Sequence, residues 1–453
     1  MNRKSAMHDH EFRQKLWTLV LPIAFQQFML AVVGASDAIM LGVLDQNALS
    51  AVSLAGQVQF IFSLFLAAIT IGTSMFAAQY WGKGDKASIE QILAMVLRIS
   101  ILISLLFFVG ATFFPEHLMR IFTSEEILVT GGAEYLRVVG VSYIFCGASQ
   151  IYLCIMKNSG RASKSTIISS SSFVLDVFLN AVFIFGLLGV PRMGIVGAAL
   201  TTVIARLVEL VWAYADSRKM DRIQVRISYL RHADKALMRD FQKYTLPVLG
   251  NELVWGCGFT MYSVIMGHLG TDAVAANSIA NISKNLIACF CLGLGSGGGI
   301  MVGNELGAGR LEQAKLYGCK LCKMSILTGG ISGVFLLLLS PLILSLSTLS
   351  EGANTYLQGM LFMCSYYMIG KSVNGTTIGG IFCAGGDSKF GFLCDTVTLW
   401  CITVPLGFIA AFIWKLPVLA VYFVVNLDEI IKLPAVYFHY KKYIWVKDLT
   451  AEK

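Results

Sequence analysis

Asp37 stands near the end of LWTLVLPIAFQQFMLAVVGASDAIMLG, residues 16–42, with nothing basic beside it. About 25 mostly apolar residues are long enough to cross a hydrocarbon core as a helix. An acid at that depth costs at least ~2.5–3.5 kcal/mol on insertion scales, and such groups face the bundle interior and mark ion paths. Burial makes the ionised form expensive, which suits a group that takes up and releases a proton. A second polar set follows in SSSSFVLDVFLNAVFIFG, where Asp176 and Asn180 are one helical turn apart and share a face. The next apolar run, GIVGAALTTVIAR, adds Thr201 and Thr202. With Asp37 these are hard oxygen ligands, the type used by alkali cations and by protonated carboxyl networks. The same side chains also suit hydrogen-bonded contacts between spans.

The second half carries its own intramembrane charges: Glu252, Lys284, Lys371, Asp428, Glu429 and Lys432. Unpaired ions are costly there, so acid–base pairs are expected, serving either a structural ion network or ion coupling. Arg206, Glu209 and Asp395 lie nearer the ends of apolar runs, where snorkelling to the interface accounts for them. Gln26, Met29, Tyr143, Tyr152, Met261 and Tyr262 are candidates for an adaptable substrate cavity. Pro22 and Pro247 each remove a backbone donor inside a span and are candidate hinges. The six histidines, at positions 8, 10, 117, 232, 268 and 439, form no H-E-x-x-H motif or carboxylate–His cluster in sequence, which argues against a membrane hydrolase. Cys319 and Cys322 lack the second pair or nearby His of a zinc site, so the eleven cysteines read as free thiols and no metal beyond a coupling Na+ is expected.

The elements that hold these residues follow from composition. The 453 residues are 56% hydrophobic and only 14% charged, with a mean hydropathy of +0.70. Soluble domains carry about 25% charged residues, so the chain reads as an all-α polytopic membrane protein. The apolar run after Arg3, Lys4, Arg13 and Lys15 is too long for a signal peptide and lacks its cleavage site, so it reads as a retained span. Twelve apolar segments recur, at 16–42, 51–80, 91–114, 129–156, 166–189, 194–216, 242–268, 274–303, 317–346, 354–384, 391–414 and 417–438. Basic residues cluster in alternate loops, around Lys83, at 157–164, 218–243, 310–323 and beyond Lys441. The opposite loops hold Asp45, Glu116, Glu125, Glu126, Asp272 and Glu351. The positive-inside rule then puts both termini in the cytoplasm, and the net charge of +8 belongs to topology rather than to nucleic acid.

An offset of 225 residues maps Leu21-Pro22 onto Leu246-Pro247, Gly42 onto Gly267, Ser53 onto Ser278 and Gly72 onto Gly297. It also maps Gly82-Lys83-Gly84 onto Gly307-Ala308-Gly309, and Gly160, Ser163 and Lys164 onto Gly385, Ser388 and Lys389. This is a parallel repeat of six helices. The expected division is 1–217, a basic cytoplasmic linker 218–241, 242–440 and a cytoplasmic tail 441–453. Glu252 falls on Gln27 under the offset, so the halves are chemically unequal.

The order of these motifs resembles the multidrug and toxic compound extrusion (MATE) family over nearly the whole length. The resemblance rests on Pro22 followed by ASDAIMLG, on AQYWGKGD, on GVPRMGIVGAALTTVIAR, and on LPVLGNELVWG with LGTDAVAANSIA opening the second half. It implies two pseudo-two-fold six-helix lobes in a V. It also implies export of bulky, often cationic or amphipathic drugs or toxins against H+ or Na+. Asp37 matches the family's first-helix acid, and Thr202 its threonine in that lobe. Asp176 and Asn180 keep the family's residue types in swapped order. The seventh-helix acid of many relatives meets Trp255, and the tenth-helix acid of the sodium-coupled branch meets Lys371 and Asn374. The expectation is a monomeric secondary exporter in a bacterial plasma membrane, with no enzyme activity and no cofactor. The alternative is a lipid-linked precursor flippase of the wider superfamily, for which Lys284 and Lys371 would suit an anionic headgroup. A major facilitator transporter fits less well, because WGKGDKAS lacks that family's dense basic loop signature.

Overall fold

The computed structural model describes residues 10–44, 46–219, 222–231, 234–347 and 349–451. The expectations resting on Arg3, Lys4, His8, Asp45 and His232, and the last two residues of the tail, lie outside the described residues. The described residues contain helices and no strand. In chain order they are α1 (Leu21–Leu44, entered through a π turn Leu16–Val20), α2 (Gln46–Lys83), α3 (Lys86–Phe113), the short α4 (Pro115–Phe122), α5 (Glu126–Asn158), α6 (Ala162–Phe185) and α7 (Gly194–Ser217). Next come the short α8 (Ile227–Arg231), α9 (Lys235–Gly267), α10 (Thr271–Gly307), α11 (Leu311–Leu346) and α12 (Glu351–Asn374, continued by wider turns Gly375–Phe382). The last are α13 (Ser388–Asp395), α14 (Val404–Phe408), α15 (Val418–Val425) and α16 (Asp428–Tyr440).

Twelve long helical stretches thus occupy the twelve expected segments. Among the described residues, nine helices are long and apolar enough to span a membrane by length and composition. Of the other three stretches, α9 and α12 carry charged residues that lower their hydropathy, and α15–α16 is broken into helices of 8 and 13 residues. Apolar side chains that face outward fit lipid: on α11, Ile331, Leu338 and Leu346 are 60%, 72% and 74% exposed.

Contacts divide the chain into two units. One, the N-terminal unit, comprises Met29–Ala77 and Asp85–Phe241; the other, the C-terminal unit, comprises the residues up to Phe28, Ala78–Gly84 and Gln242–Lys453. This partition differs from the division at 218–241 expected above. The connector belongs to the N-terminal unit, where Glu90 of α3 accepts from the Gln224 amide (3.3 Å) and pairs with Arg226, and Arg98 donates to the Tyr229 carbonyl (3.0 Å). The start of α1 and the end of α2 pack with the second half.

The core of the N-terminal unit joins α2, α3, α4, α5 and α7 through Val58, Phe62, Ala111, Met119, Leu136, Tyr143 and Ala199. A smaller cluster ties α1, α6 and α7 together through Leu41, Ile184 and Ala198. That cluster fixes the three helices that carry Asp37, Asp176 and the threonines.

In the C-terminal unit, α10 approaches its neighbours at backbone contact. A Cβ on Gly295 would lie 2.8 Å from the Gly375 carbonyl oxygen, and one on Gly380 2.5 Å from that of Gly295. Small residues let helices in lipid meet this closely. The 225-residue offset reappears as geometry. A Cβ on Gly82 would meet the Asn304 carbonyl oxygen at 2.0 Å, and one on Gly307 the Gln79 carbonyl oxygen at 1.9 Å. Gln79 and Asn304 are themselves repeat mates, as are Ala78 and Gly303, which touch each other. A reciprocal contact of this kind is what a local pseudo-two-fold axis produces.

The proline expectations separate. Pro22 follows the π turn Leu16–Val20, as its missing donor and ring bulk require. Pro405 likewise follows a wide segment, Thr396–Thr403. Pro247 sits inside an uninterrupted α9, so the two repeat mates differ in local helix geometry.

The expected tail is, as far as residue 451, a folded strap of the C-terminal unit. Trp445 is fully buried and stacks on Tyr440 at 5.5 Å. The Leu449 amide donates to Gln79 Oε1 (2.6 Å), Gln79 Nε2 donates to the Ala384 and Lys447 carbonyls (2.7 and 3.1 Å), and Lys83 donates to the Thr450 carbonyl (3.0 Å).

Candidate ion-coupling site

Within the N-terminal unit, α1, α6 and α7 bring four of the sequence candidates together. Asn180 Nδ2 donates to Asp37 Oδ1 at 2.8 Å. Asn180 Oδ1 in turn accepts from the Thr201 hydroxyl. Asn180 and Thr201 are 1% and 0% exposed, whereas Asp37 is half-buried at the end of the chain of bonds. Asp176, one turn before Asn180, is buried, and its Oδ1 has no hydrogen-bond partner among the described residues. It stands within electrostatic reach of Asp37, Thr201 and Arg206.

Thr202 is a correction. Its hydroxyl bonds the Ala198 carbonyl of its own helix at 3.2 Å, and it is the preceding Thr201 that faces Asn180. Thr201 is also 2.8 Å from the Ala198 carbonyl, so its single proton serves one of two acceptors at a time. We therefore expect Thr201→Val to raise the ion concentration needed for half-maximal transport about fivefold, the value of roughly one hydrogen bond. Thr202→Val should leave it unchanged. Ion titration of efflux for the two variants side by side checks this.

Arg206 and Glu209 are a second correction. Glu209 is fully buried, not at an interface, and accepts from Ser149 of α5 (2.9 Å), Ser169 of α6 (3.0 Å) and Arg206 (3.0 Å). Arg206 also lies over the Phe173 ring at 5.4 Å. The one guanidinium of this region is therefore committed to Glu209. Among the described residues neither Asp37 nor Asp176 has a basic group within ion-pair distance. The two acids are therefore left without an ion-pair partner among the described residues.

The second-half charges gather around Lys432 in the C-terminal unit. Lys432 Nζ is 2.8 Å from Asp395, 3.6 Å from Asp428 and 3.7 Å from Glu429. Glu429 also pairs with Lys371 (3.3 Å) and accepts from Asn374 Nδ2 (2.7 Å). Asp395 is thus a buried partner, not a snorkelling group. Glu252 and Lys284 join no ion pair among the described residues. Lys284 lies over the Tyr367 ring at 4.7 Å, and Lys371 over Trp255 at 5.2 Å.

The six cavity candidates are not equivalent. Tyr143 is core, packed on Phe62 with ring centroids 4.9 Å apart. Tyr152 is buried against Tyr214 at 6.1 Å. Gln26 is buried, Met29 and Met261 are half-buried, and Tyr262 shares a 2.6 Å hydrogen bond with Thr403. His439 does find a carboxylate: its Nε2 is 2.6 Å from Asp387, and its ring stacks on Phe390 at 3.8 Å. All eleven cysteines are free, and no group of three metal-ligating side chains occurs among the described residues.

The family model MatE matches residues 22–182 and 247–409, its two matches beginning at the repeat-mate prolines Pro22 and Pro247. The chain belongs to the MATE family. It is 21% identical over 432 residues to the uncharacterized transporter YisQ of Bacillus subtilis, covering 95% of each chain. It is 23% identical to a probable multidrug resistance protein NorM of Bacillus cereus, covering 88% of this chain and 89% of that one. Among solved structures, an outward-facing multidrug resistance MATE family transporter superposes with a TM-score of 0.87 at 16% identity over 96% of each chain. That likeness establishes the all-α MATE fold alone. This MATE protein is an integral membrane transporter and not an enzyme.

Proposed function

We propose that this MATE transporter is a secondary active exporter of bulky cationic or amphipathic compounds, driven by inward H+ or Na+ bound at Asp37. The observation that carries the reading is the chain Asp37–Asn180–Thr201 with the unpartnered Asp176 oxygen beside it, while Arg206 is held by Glu209. Two uncompensated carboxyls on three packed helices form a site that a small cation stabilises and whose emptying destabilises. The names of the curated relatives support multidrug export and give no support to a lipid-linked precursor flippase. The setting we infer is a bacterial plasma membrane, with a monomer whose termini both face the cytoplasm. No cofactor enters the reading, and the partners are small-molecule drugs or toxins and the bilayer.

The deciding experiment is efflux of a fluorescent cationic dye from proteoliposomes, with a proton gradient and a sodium gradient imposed separately. One of the two gradients is expected to drive uphill movement. Equal transport with neither gradient would overturn the reading.

A further inference from the structure

The Lys432 cluster contains one acid that its ion pairs do not satisfy. Asp395 has Lys432 at 2.8 Å, and Glu429 has Lys371 at 3.3 Å and the Asn374 amide at 2.7 Å. These two bases and two acids balance. Asp428 is different. It is 3% exposed, its Oδ2 is 3.6 Å from the nearest ammonium, and its Oδ1 is buried with no hydrogen-bond partner among the described residues. The 3.6 Å separation exceeds the ordinary range for a charge-assisted hydrogen bond, which is about 2.7–2.9 Å. An ionised carboxylate buried with neither oxygen hydrogen-bonded carries nearly its full desolvation penalty, whereas the neutral acid does not.

The charged and titratable groups facing Asp428 come from three further helices. On its own helix are Glu429 and Lys432. Lys284 reaches it from α10, Lys371 and Tyr367 from α12, and Tyr262 from α9. Three lysines around the group repel a metal cation and also favour the carboxylate; what favours the neutral acid is that two of them are engaged by Asp395 and Glu429 and that neither Asp428 oxygen has a donor within hydrogen-bond range among the described residues. Lys284 supports this: it is 8% exposed, lies in no ion pair among the described residues, and rests over the Tyr367 ring. Were Asp428 ionised, Lys284 would be its natural counter-ion, yet the two are not within ion-pair distance.

We propose that Asp428 is a second proton-exchange site of this chain, filled in the conformation described and separate from Asp37. Exchange breaks the carboxyl O–H bond and passes the proton to water, leaving a carboxylate for Lys284 or Lys432 to approach. The proposal does not depend on Asp37 being the coupling site, because it concerns a different unit and a different readout.

Infrared spectroscopy of the purified full-length protein in lipid at neutral pH tests it. The expected result is a protonated-carboxyl C=O band that is present in wild type and in Asp37→Asn, is missing in Asp428→Asn, and shifts in heavy water. Asp428→Glu, which keeps the acid should the amide variant fail to fold, should retain the band at a changed frequency. A wild-type-minus-Asp428→Asn spectrum with no such band would overturn the proposal, as would a band that does not shift in heavy water. An Asp428→Glu spectrum with no change in this region would overturn it equally.

Discussion

Asp37→Asn is expected to reduce gradient-driven efflux by at least about tenfold, the equivalent of about 1.4 kcal/mol of coupling between ion and substrate. The amide is nearly isosteric with the carboxylate, and its oxygen still accepts from Asn180 Nδ2, so the bond at 2.8 Å has a chemical equivalent in the variant. What disappears is the charge. Dye binding measured without a gradient should therefore survive, and the loss should appear in the uphill component alone. Removing an unpaired charge from a partly buried site also relieves desolvation. The variant should consequently melt no lower than wild type, which separates lost coupling from lost folding. Full gradient-driven efflux in Asp37→Asn, with the variant folded, would leave the α1–α6–α7 site without a role in coupling. Asp176→Asn offers a graded comparison. Asp176 is buried beside Asn180 and interacts with Thr201 but makes no hydrogen bond to Asp37 among the described residues, so a smaller loss is expected.

Asp37 was legible because an acid inside an apolar run is anomalous whatever surrounds it. The Asp176–Asn180 pair was legible for a second reason, since i,i+4 spacing places both on one face before any packing is known. Thr201 and Thr202 mark the limit of that argument. Adjacent residues on a helix point about 100° apart, and which one faces α6 depends on the rotation of α7, set by contacts such as Ala198 and Ala199. Distance along an apolar run was likewise a poor guide to exposure. Glu209 and Asp395 sit near the ends of hydrophobic segments, yet Ser149, Ser169 and Arg206 enclose the one, and Lys432 the other. Those partners lie 40 and 60 residues away from Glu209 for the serines, so no local pattern announces them. The repeat was fully legible as an offset. That its glycines make a reciprocal backbone contact required coordinates. Trp445 and Leu449 were read as part of a basic tail, because the sequence shows charge there but not the room that Gly318 leaves for the indole and Gly385 for the backbone of Trp445: a Cβ on Gly318 would lie 2.8 Å from the indole, and one on Gly385 would clash with the Trp445 carbonyl oxygen.

Glu209→Ala should be the most destabilising single substitution in the N-terminal unit among those that leave the hydrophobic core intact. Glu209 is fully buried and accepts three hydrogen bonds, from Ser149, Ser169 and Arg206. Truncation removes an acceptor from two hydroxyls, of which Ser149 still has the Cys146 carbonyl at 3.2 Å, and, more seriously, orphans the Arg206 guanidinium. Breaking a buried pair by removing one partner costs about 3–5 kcal/mol, and an unpaired charge at membrane depth costs ~2.5–3.5 kcal/mol on insertion scales, which overlaps that range. Freed from Glu209, Arg206 also has somewhere to go. It is already within electrostatic reach of Asp37 and Asp176, and the natural relaxation is to turn towards those acids. A fixed guanidinium there would occupy the place of the coupling ion. Glu209→Ala is therefore expected to lower the melting temperature in detergent by on the order of 10 °C. Whatever fraction folds should lose gradient-driven efflux as Asp37→Asn does. Glu209→Gln keeps the side-chain volume and one accepting oxygen but not the charge, and its NH2 replaces one of the two oxygens that now accept from Ser149 and Ser169, so it should show the transport defect with a loss of stability smaller than that of Glu209→Ala. The double variant Glu209→Ala with Arg206→Leu removes both charges and should recover most of the stability and part of the transport. If the double variant is no more stable than Glu209→Ala alone, the guanidinium is not the source of the cost.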